Sequence, residues 1–569
     1  MLSQNLNRRD AKKAEWKTET GKWKTSVFYF AVFRWRFSVS RRRGVAAFLS
    51  VIIFTACQSS KPTDMRSLVP AETLVYLESK DLAKTLSALT ENESWRQLAK
   101  SKPDFSYLEN TQLAVAVTGF EISEKQLTDN QKILNSKPLF VAVADTHRWE
   151  STNLSLAENQ IGKFARETYG DDARLEKPEK PGAKWFVWTA AADNRKLVAA
   201  VSESVVYLGN DEAAIEKCLA VKRGEAENLT KNESLTRALE RAGDENQIAF
   251  GYISSESMPQ IANLAGVFAA FRTSEDEDAR SFTARILPQI LQKSVREIVW
   301  TARKTEAAIE DKYLIKTGAE ISSVLKETLL PASAREFQKA EFLPPALFSV
   351  TRYNLQNPQI AWRSVLLTTA NQTDATSAKI ILQFSDALFE PYEITRAEAF
   401  LSAVGAEIIT AKFDEEGDKS VVIADVKDAE SLKKALTSEI NFKAPPEKQG
   451  NAEIWKSKDE LLAAAFIENK LILGETESVL SCLKAKESGQ NFKSTAAFQK
   501  ISNSPAAALS LTKDAETAGK IVELLGNPKE ENKTSVSFYT TETRFDAGGF
   551  ERKTVSDFGL IGTILESLE

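Results

Sequence analysis

LVAAVSESVVYLG, residues 197–209, recurs in the chain as LAAAFIENKLILG, residues 462–474. Each stretch consists of two apolar runs around a short polar break, and this pattern predicts a β-hairpin. Both stretches begin with leucine, end with glycine and have the same length, so they align without an insertion. A second copy of so regular a stretch indicates that one folding unit occurs twice.

Other segments follow the same order in the two parts of the chain. The apolar strand at residues 139–145 corresponds to the one at 421–425, and each hairpin leads into a short helix. We therefore expect repeat one at residues 67–331, a connector at 332–342 and repeat two at 343–569. Strands joined by tight turns, with short helices between groups of strands, predict an α+β fold of two tandem repeats of antiparallel sheet.

The first 57 residues differ from the two expected repeats and have the features of an export signal. Three arginines, residues 41–43, precede 13 uncharged residues from Gly44 to Ala56, and Cys57 follows. A membrane span needs about 20 apolar residues, so this run is typical of a secretory signal peptide. A buried N-terminal helix that contains a cysteine is the alternative. We expect a signal peptide at 41–56, a polar tether at 57–66, and an over-extended start or disordered segment at 1–40.

The end of the leader, Phe54-Thr55-Ala56-Cys57, resembles the lipobox of bacterial lipoproteins, with Phe54 where leucine is usual. The resemblance implies cleavage before Cys57, a diacylglyceryl group on its sulfur and an acylated amino terminus. Acyl chains on Cys57 would make the membrane a partner. Gln58 is not the aspartate that retains some lipoproteins in the inner membrane, which favours the outer membrane, facing the periplasm or the surface.

The stretch Val69-Pro70-Ala71-Glu72-Thr73, together with the hairpin-helix order, resembles an uncharacterised domain-of-unknown-function family of bacterial extracytoplasmic proteins. This resemblance implies a location in the cell envelope and an α+β module. The family has no established catalytic residues, so it implies no activity.

The net charge and the few cysteines limit the functions and the covalent links that the chain can have. The first 56 residues hold 12 Lys+Arg and 3 Asp+Glu, so the remaining 513 residues have 62 basic and 76 acidic side chains, a net charge of −14. A chain this acidic is a poor candidate for binding nucleic acid or anionic-lipid surfaces. Besides Cys57 there are only Cys218 and Cys482, which we expect to be buried free thiols, with a disulfide between them left open.

A search for catalytic and metal-binding motifs yields no catalytic, cofactor or metal residues to propose. The single histidine, His147, is expected in a surface loop. Lys316-Thr317-Gly318 matches a triad of penicillin-binding enzymes, but no Ser-x-x-Lys precedes it. The acidic runs at residues 275–278 and 414–418 lack EF-hand spacing and fit a helix cap and a turn.

Three functions remain after this search. The leading hypothesis is a non-enzymatic, membrane-tethered lipoprotein that binds an envelope protein partner or organises the envelope. The first alternative is a carrier of lipid or another apolar ligand in a groove near Ile261–Phe271. The apolar face of this predicted helix is either an exposed lid or part of the core. The second alternative is a hydrolase that uses carboxylates from both repeats, Asp145 and Asp425.

Overall fold

A computed structural model describes residues 62–567, apart from short gaps at 129–130, 193–194, 244–245, 274–276, 333–336, 387–388, 390–393, 500, 502–503, 515–516 and 530–536. Cys57, the expected signal peptide and the first part of the expected tether therefore lie outside the described residues. Within the described part of the chain, every helix is too short or too polar to cross a membrane.

The strands of the first half are β1 Val75–Ser79, β2 Gln112–Thr128, β3 Gln131–Asp145, β4 Arg174–Glu176, β5 Glu179–Lys180, β6 Ala183–Thr189, β7 Lys196–Ser202, β8 Val205–Gly209, β9 Gln247–Ile253, β10 Val295–Lys304 and β11 Ile309–Thr317. Those of the second half are β12 Ser349–Asn354, β13 Val404–Lys412, β14 Ser420–Val426, β15 Glu447–Gln449, β16 Ala452–Lys456, β17 Leu462–Ile467, β18 Lys470–Glu475, β19 Ala508–Asp514, β20 Ser537–Asp546 and β21 Gly549–Ser556.

The α-helices of the first half are α1 Leu82–Leu89, α2 Glu93–Leu98, α3 Glu150–Ser155, α4 Gly162–Tyr169, α5 Glu212–Lys222, α6 Glu233–Ala242, α7 Met258–Thr273, α8 Glu277–Ser294 and α9 Ala319–Thr328. Those of the second half are α10 Pro358–Asn371, α11 Ala375–Phe384, α12 Ala397–Ala403, α13 Ala429–Glu439, α14 Thr476–Ser488, α15 Ala496–Gln499, α16 Thr517–Leu525 and α17 Gly559–Ser567.

The strands pair into one antiparallel sheet, and short helices lie between them, so the predicted α+β class is confirmed. In the first half the pairing order is β6, β7, β8, β3, β2, β1, β9, β10, β11, with β4 and β5 both on β6. The order continues from β11 through β21, β20, β19, β12, β13, β14, β18, β17, β16 and β15.

Both predicted hairpins are confirmed. β7 and β8 pair from Ser202 with Val205, and β17 and β18 pair from Ile467 with Lys470, so two residues form each turn. Glu468 and Asn469 both have positive φ, 49° and 62°. Such turns match the twist of paired strands, which explains why a short polar break suffices.

The core lies on both faces of the sheet, because successive side chains of a strand point to opposite sides. In β1, Tyr76 belongs to a cluster with Cys218 of α5, whereas Leu77 packs in a cluster on the other face with Trp95 of α2. The second half also has two clusters, one of which contains Cys482. Helices therefore cover the sheet from both sides.

The two halves are interlocked through the first cluster. Ala518, Ile521 and Val522 of α16 and Phe558 before α17 are buried in the core that contains Trp95 of the first half. These contacts join residues more than 400 positions apart, so the first half has a core completed by the end of the chain.

The apolar face of α7, which the sequence predicts to be either an exposed lid or part of the core, lies against the sheet. Ile261 and Ala265 are 4% and 3% exposed and pack on β1, β2 and β10, whereas Leu264 and Phe268 are half-buried. The side chain of Phe271 lies outside the described residues. Since Ile261 and Ala265 are core, the helix is seated on the sheet, which agrees with the core alternative for this apolar face.

Candidate functional site

A polar cluster holds the first described residues of the chain against the end of the sheet. We call Thr63, Gln112, Asp145 and His147 the N-terminal clamp. The backbone N–H of Thr63 donates to Gln112 Oε1 at 2.7 Å, and Gln112 Nε2 donates to the Thr63 carbonyl at 2.8 Å. Thr63 Oγ1 donates to Asp145 Oδ2 at 2.6 Å. Three hydrogen bonds thus fasten one residue of the expected tether to β2 and β3.

His147 completes the clamp from the loop after β3. Its backbone N–H donates to Asp145 Oδ1 at 3.1 Å, and its Nε2 lies 3.0 Å from Gln112 Oε1. The two bonds to Thr63 set the orientation of the Gln112 amide, so Oε1 is an acceptor and His147 Nε2 carries the hydrogen. The side chain is only 9% exposed, which makes the expectation of a surface histidine wrong, although the loop position is as predicted.

The connectivity of the clamp differs from that of a hydrolytic triad. In a triad the nucleophilic hydroxyl donates to histidine, and the carboxylate orients the histidine from its other side. Here the Thr63 hydroxyl donates to Asp145, and His147 Nε2 donates to Gln112. This arrangement suits holding a backbone segment in place, because the bonds from Gln112 satisfy both backbone polar groups of Thr63.

A charged cluster occupies the corresponding strands of the second half. Glu407 at β13 accepts from Lys339 Nζ and from Arg352 Nε, and Asp425 at β14 accepts from Lys339 Nζ at 2.7 Å. Lys339 is 3% exposed and Arg352 is 1% exposed. Buried cations are stable only when paired, so this cluster joins the segment before β12 to the sheet.

Asp145 and Asp425, the carboxylates of the hydrolase hypothesis, are not brought together. They lie on β3 and β14, and ten other strands separate β3 from β14 in the pairing order. At about 4.8 Å per strand, the separation along the sheet is on the order of 50 Å. Each carboxylate is occupied by its own partners, Thr63 and Lys339. A site that uses both carboxylates on one small substrate does not fit this geometry.

A cleft of about 490 Å³ lies where the two halves meet, between α6 and the strands β10, β11 and β21. Lys316 lines it and pairs with Glu297 at 3.4 Å, and Arg241, Asp546 and Glu551 contribute further charges. The volume suits a small ligand. Its lining combines these charges with the apolar side chains of Val299, Leu314 and Phe550.

The remaining motifs have structural positions. Thr317 of Lys316-Thr317-Gly318 is buried and lies 2.7 Å from the Ser322 hydroxyl at the start of α9. Asp414 accepts from the backbone N–H of Gly417 at 2.8 Å, so the second acidic run forms the predicted turn. Residues 275–276 lie outside the described residues. Elsewhere in the described chain, no three acidic, histidine or cysteine side chains cluster as a metal site would require.

Cys218 and Cys482 are buried free thiols, as predicted. Burial raises the pKa of Cys218 to about 12 and raises the pKa of Cys482 further above its usual value. Thiols that stay protonated and enclosed are inert, so both act as small apolar core residues.

Asp311 on β11 is a buried acid that the motif search missed. Its Oδ1 accepts from Trp300 Nε1 at 2.8 Å, and its Oδ2 accepts from the backbone N–H of Leu560 in the first turn of α17, also at 2.8 Å. Burial raises the pKa of Asp311 to about 7. The sequence could have predicted this burial, because Asp311 alternates with Ile309 and Tyr313 on the inward-facing side of the strand, where an acid needs hydrogen-bond partners.

Comparisons of the chain with protein-family models, with curated proteins and with solved structures find no match.

Proposed function

We propose that the chain is a lipid-anchored extracytoplasmic protein with a non-enzymatic role in binding or organising envelope components. In this proposal the leader is removed before Cys57, acyl chains on Cys57 hold the protein on the membrane, and the outer membrane is the favoured location. The observation that carries it is the arginine-led apolar run that ends in Phe54-Thr55-Ala56-Cys57. The N-terminal clamp is compatible with it, because the folded body is fastened at Thr63, six residues after Cys57.

The length of the tether supports this proposal. Six residues span at most about 22 Å when fully extended. A clamp at Thr63 with three hydrogen bonds suits a position at which an anchored chain transmits force to the body. The same bonds have less purpose at a free, solvent-exposed terminus, which usually frays.

We also propose that the folded body consists of two related units. Reading outward from the middle of the sheet, β11, β10, β9, β1, β2, β3, β8, β7 and β6 correspond one by one to β21, β20, β19, β12, β13, β14, β18, β17 and β16. The equivalent strands β11 and β21 pair with each other in antiparallel fashion at the centre. Such an arrangement is the one that a local two-fold axis between two units produces.

Details away from the sheet support the same duplication. Leu229 N–H donates to the Val69 carbonyl at 2.9 Å, and Phe492 N–H donates to the Leu343 carbonyl at 2.8 Å. Cys218 and Cys482 occupy matching buried positions of α5 and α14. Shared long-range bonds of this kind favour common descent of the two units over chance similarity of strand order.

The two alternative functions have less support. An apolar-ligand carrier needs an open groove near α7, but Ile261 and Ala265 fill that space against the sheet. A hydrolase that uses Asp145 with Asp425 needs the two carboxylates at one substrate, and they are about ten strands apart. A small ligand in the cleft beside Lys316 is compatible with the binding role that we propose.

Intact-mass analysis of membrane-extracted protein tests the anchor. We expect a chain that begins at Cys57 and carries the added mass of a diacylglyceryl group and an amide-linked acyl chain. The Cys57→Ser variant should remain unprocessed, while Cys218→Ser, at a buried core thiol, should leave processing unchanged. A wild-type product with an unmodified Cys57 and no membrane association would refute the proposal.

Cross-linking in intact cells tests the binding role. A short lysine-reactive cross-linker should join the exposed lysines of the wild-type protein to defined envelope neighbours, and Cys57→Ser should lose them. A wild-type protein that joins no reproducible neighbour, or the same neighbours as Cys57→Ser, would contradict the proposed binding role at the membrane.

A further inference from the structure

Trp149, in the loop between β3 and α3, is one of the most exposed large apolar side chains in the described part of the chain. Its exposed fraction is 67%. Leaving a side chain of this size in water forgoes the free energy that its burial would release. The exposed ring is therefore available to a partner that covers it.

The loop that carries Trp149 is held rigidly. Thr146 Oγ1 donates to Asn153 Oδ1 at 2.9 Å, and the backbone N–H of Arg148 donates to Thr146 Oγ1 at 3.3 Å. The Trp149 carbonyl accepts from Thr152 N–H at 2.9 Å in the first turn of α3. These bonds fix the backbone on both sides of the ring, so its outward position belongs to the folded state.

Trp149 lies at the end of the sheet from which the tether leaves. Asp145, four residues before it, accepts the hydrogen bond from Thr63, so the two Cα atoms of Asp145 and Trp149 are at most about 14 Å apart. His147, two residues before Trp149, contacts the Gln112 amide that holds the Thr63 backbone. The exposed ring and the tether therefore share one end of β3.

We propose that this end of the sheet faces the bilayer and that Trp149 inserts into the interfacial region of the phospholipids. This inference rests on the lipid anchor proposed above, which brings Thr63 within about 22 Å of the acylated cysteine. Tryptophan prefers the membrane–water interface, because its ring is apolar and its indole N–H can still find a polar partner. A second contact also strengthens an acyl anchor and orients the body.

A matched control residue lies further along the same strand pair. Ile122 on β2 is 55% exposed and pairs with Ser136 of β3, nine residues from Asp145. At about 3.3 Å per residue, Ile122 lies roughly 30 Å from the clamp, on the side away from the proposed membrane surface. It is apolar and exposed like Trp149, so it separates orientation from simple hydrophobicity.

The experiment uses lipidated protein in vesicles of the zwitterionic phospholipids phosphatidylethanolamine and phosphatidylcholine. A nitrobenzoxadiazole label is attached at Glu150→Cys or at Ile122→Cys, since Cys218 and Cys482 are fully buried and protonated. Spin-labelled phospholipid should quench the label at position 150 several-fold more strongly than the label at 122. Adding Trp149→Ser to Glu150→Cys should weaken that quenching, and flotation of the vesicles reports the anchor independently.

Each other outcome overturns the inference. If the protein floats with the vesicles but the label at 150 is not quenched, or is quenched no more than the label at 122, the anchor stands and the orientation is wrong. If Trp149→Ser leaves the quenching at 150 unchanged, the ring does not insert and the inference is wrong. If the lipidated protein does not float, the proposed anchor fails and the inference fails with it.

Discussion

At the scale of single residues, the structure pairs buried polar side chains that motif searches pass over. Asp311 in β11 and the pair Lys339 and Glu407 in the second half lie in largely apolar surroundings and are held by hydrogen bonds across large sequence distances. Buried groups of this kind influence stability more than exposed ion pairs do. Two predictions follow from their burial.

The first concerns pH and Asp311. Its pKa of about 7 is higher than the ordinary value of 3.8, so the folded state binds the proton more tightly than the unfolded state does. This stabilisation is fully present below about pH 4 and is lost as the pH rises through about 7, by at most about 4 kcal/mol for a shift of this size. Urea denaturation of wild type between pH 4 and 8 should show this decline, and Asp311→Asn should lack it.

The control for Asp311 is Glu306→Gln in the exposed turn before β11. It should keep the pH dependence of the wild type. Equal slopes for wild type and Asp311→Asn would show that Asp311 keeps an ordinary pKa in the folded protein.

The second prediction concerns Glu407→Gln. The substitution leaves Arg352 without its carboxylate and Lys339 with Asp425 alone, although both cations remain buried. Breaking a buried ion pair from one side costs about 3–5 kcal/mol, so chemical denaturation should show a loss of this order. The exposed Glu430→Gln should change stability by less than about 0.5 kcal/mol. If Glu407→Gln lowers the free energy of unfolding by no more than Glu430→Gln does, water replaces the lost carboxylate.

At the scale of elements, the hairpins require glycine where they approach the next strand. A Cβ on Gly209 would lie 2.5 Å from the Phe140 carbonyl oxygen, and one on Gly474 would lie 2.1 Å from the Ser420 carbonyl oxygen. Gly209 is the last residue of β8 and Gly474 is the penultimate residue of β18, and each meets a backbone carbonyl of the neighbouring strand, which explains why both sequence copies end in glycine.

The third prediction follows from this close approach. Gly209→Ala and Gly474→Ala should each lower the free energy of unfolding by about 1–3 kcal/mol, because backbone must move to admit the methyl group. Gly519→Ala in α16 is the matched control, since nothing lies within 4 Å of the added carbon. It should stabilise the protein slightly, because alanine favours a helix over glycine. Similar stability of all three variants, measured by thermal unfolding, would contradict the steric argument.

At the scale of the whole molecule, the hydrophobic cores do not follow the order of the two halves along the chain. α16 and the residue before α17, at the end of the chain, fill the core around Trp95. Gly526 would place a Cβ only 2.8 Å from the Trp95 ring, which shows how closely the two ends pack. We expect the halves to depend on each other for stability.

The fourth prediction tests this dependence. Residues 62–331 produced alone should lack cooperative unfolding, since Ile521, Val522 and Phe558 are missing from their core. Co-production with residues 332–569 should restore a cooperative transition measured by circular dichroism. In the intact chain, Ile521→Ala should cost about 2–5 kcal/mol. A first half that unfolds cooperatively by itself would show that the interlock is dispensable.

Local patterns in the sequence determined much of this protein: the α+β class, both hairpins, the acidic turn at Asp414 and the buried state of Cys218 and Cys482. Alternation, turn residues and small apolar side chains act over a few neighbours, so they can be read in order along the chain. Only the tertiary structure decided that His147 is enclosed, that Asp145 and Asp425 lie far apart, and that the last helices complete the first core. These features depend on strand pairing between distant segments. Such pairing joins backbone groups that are far apart in the sequence, so no local pattern reveals which segments will meet.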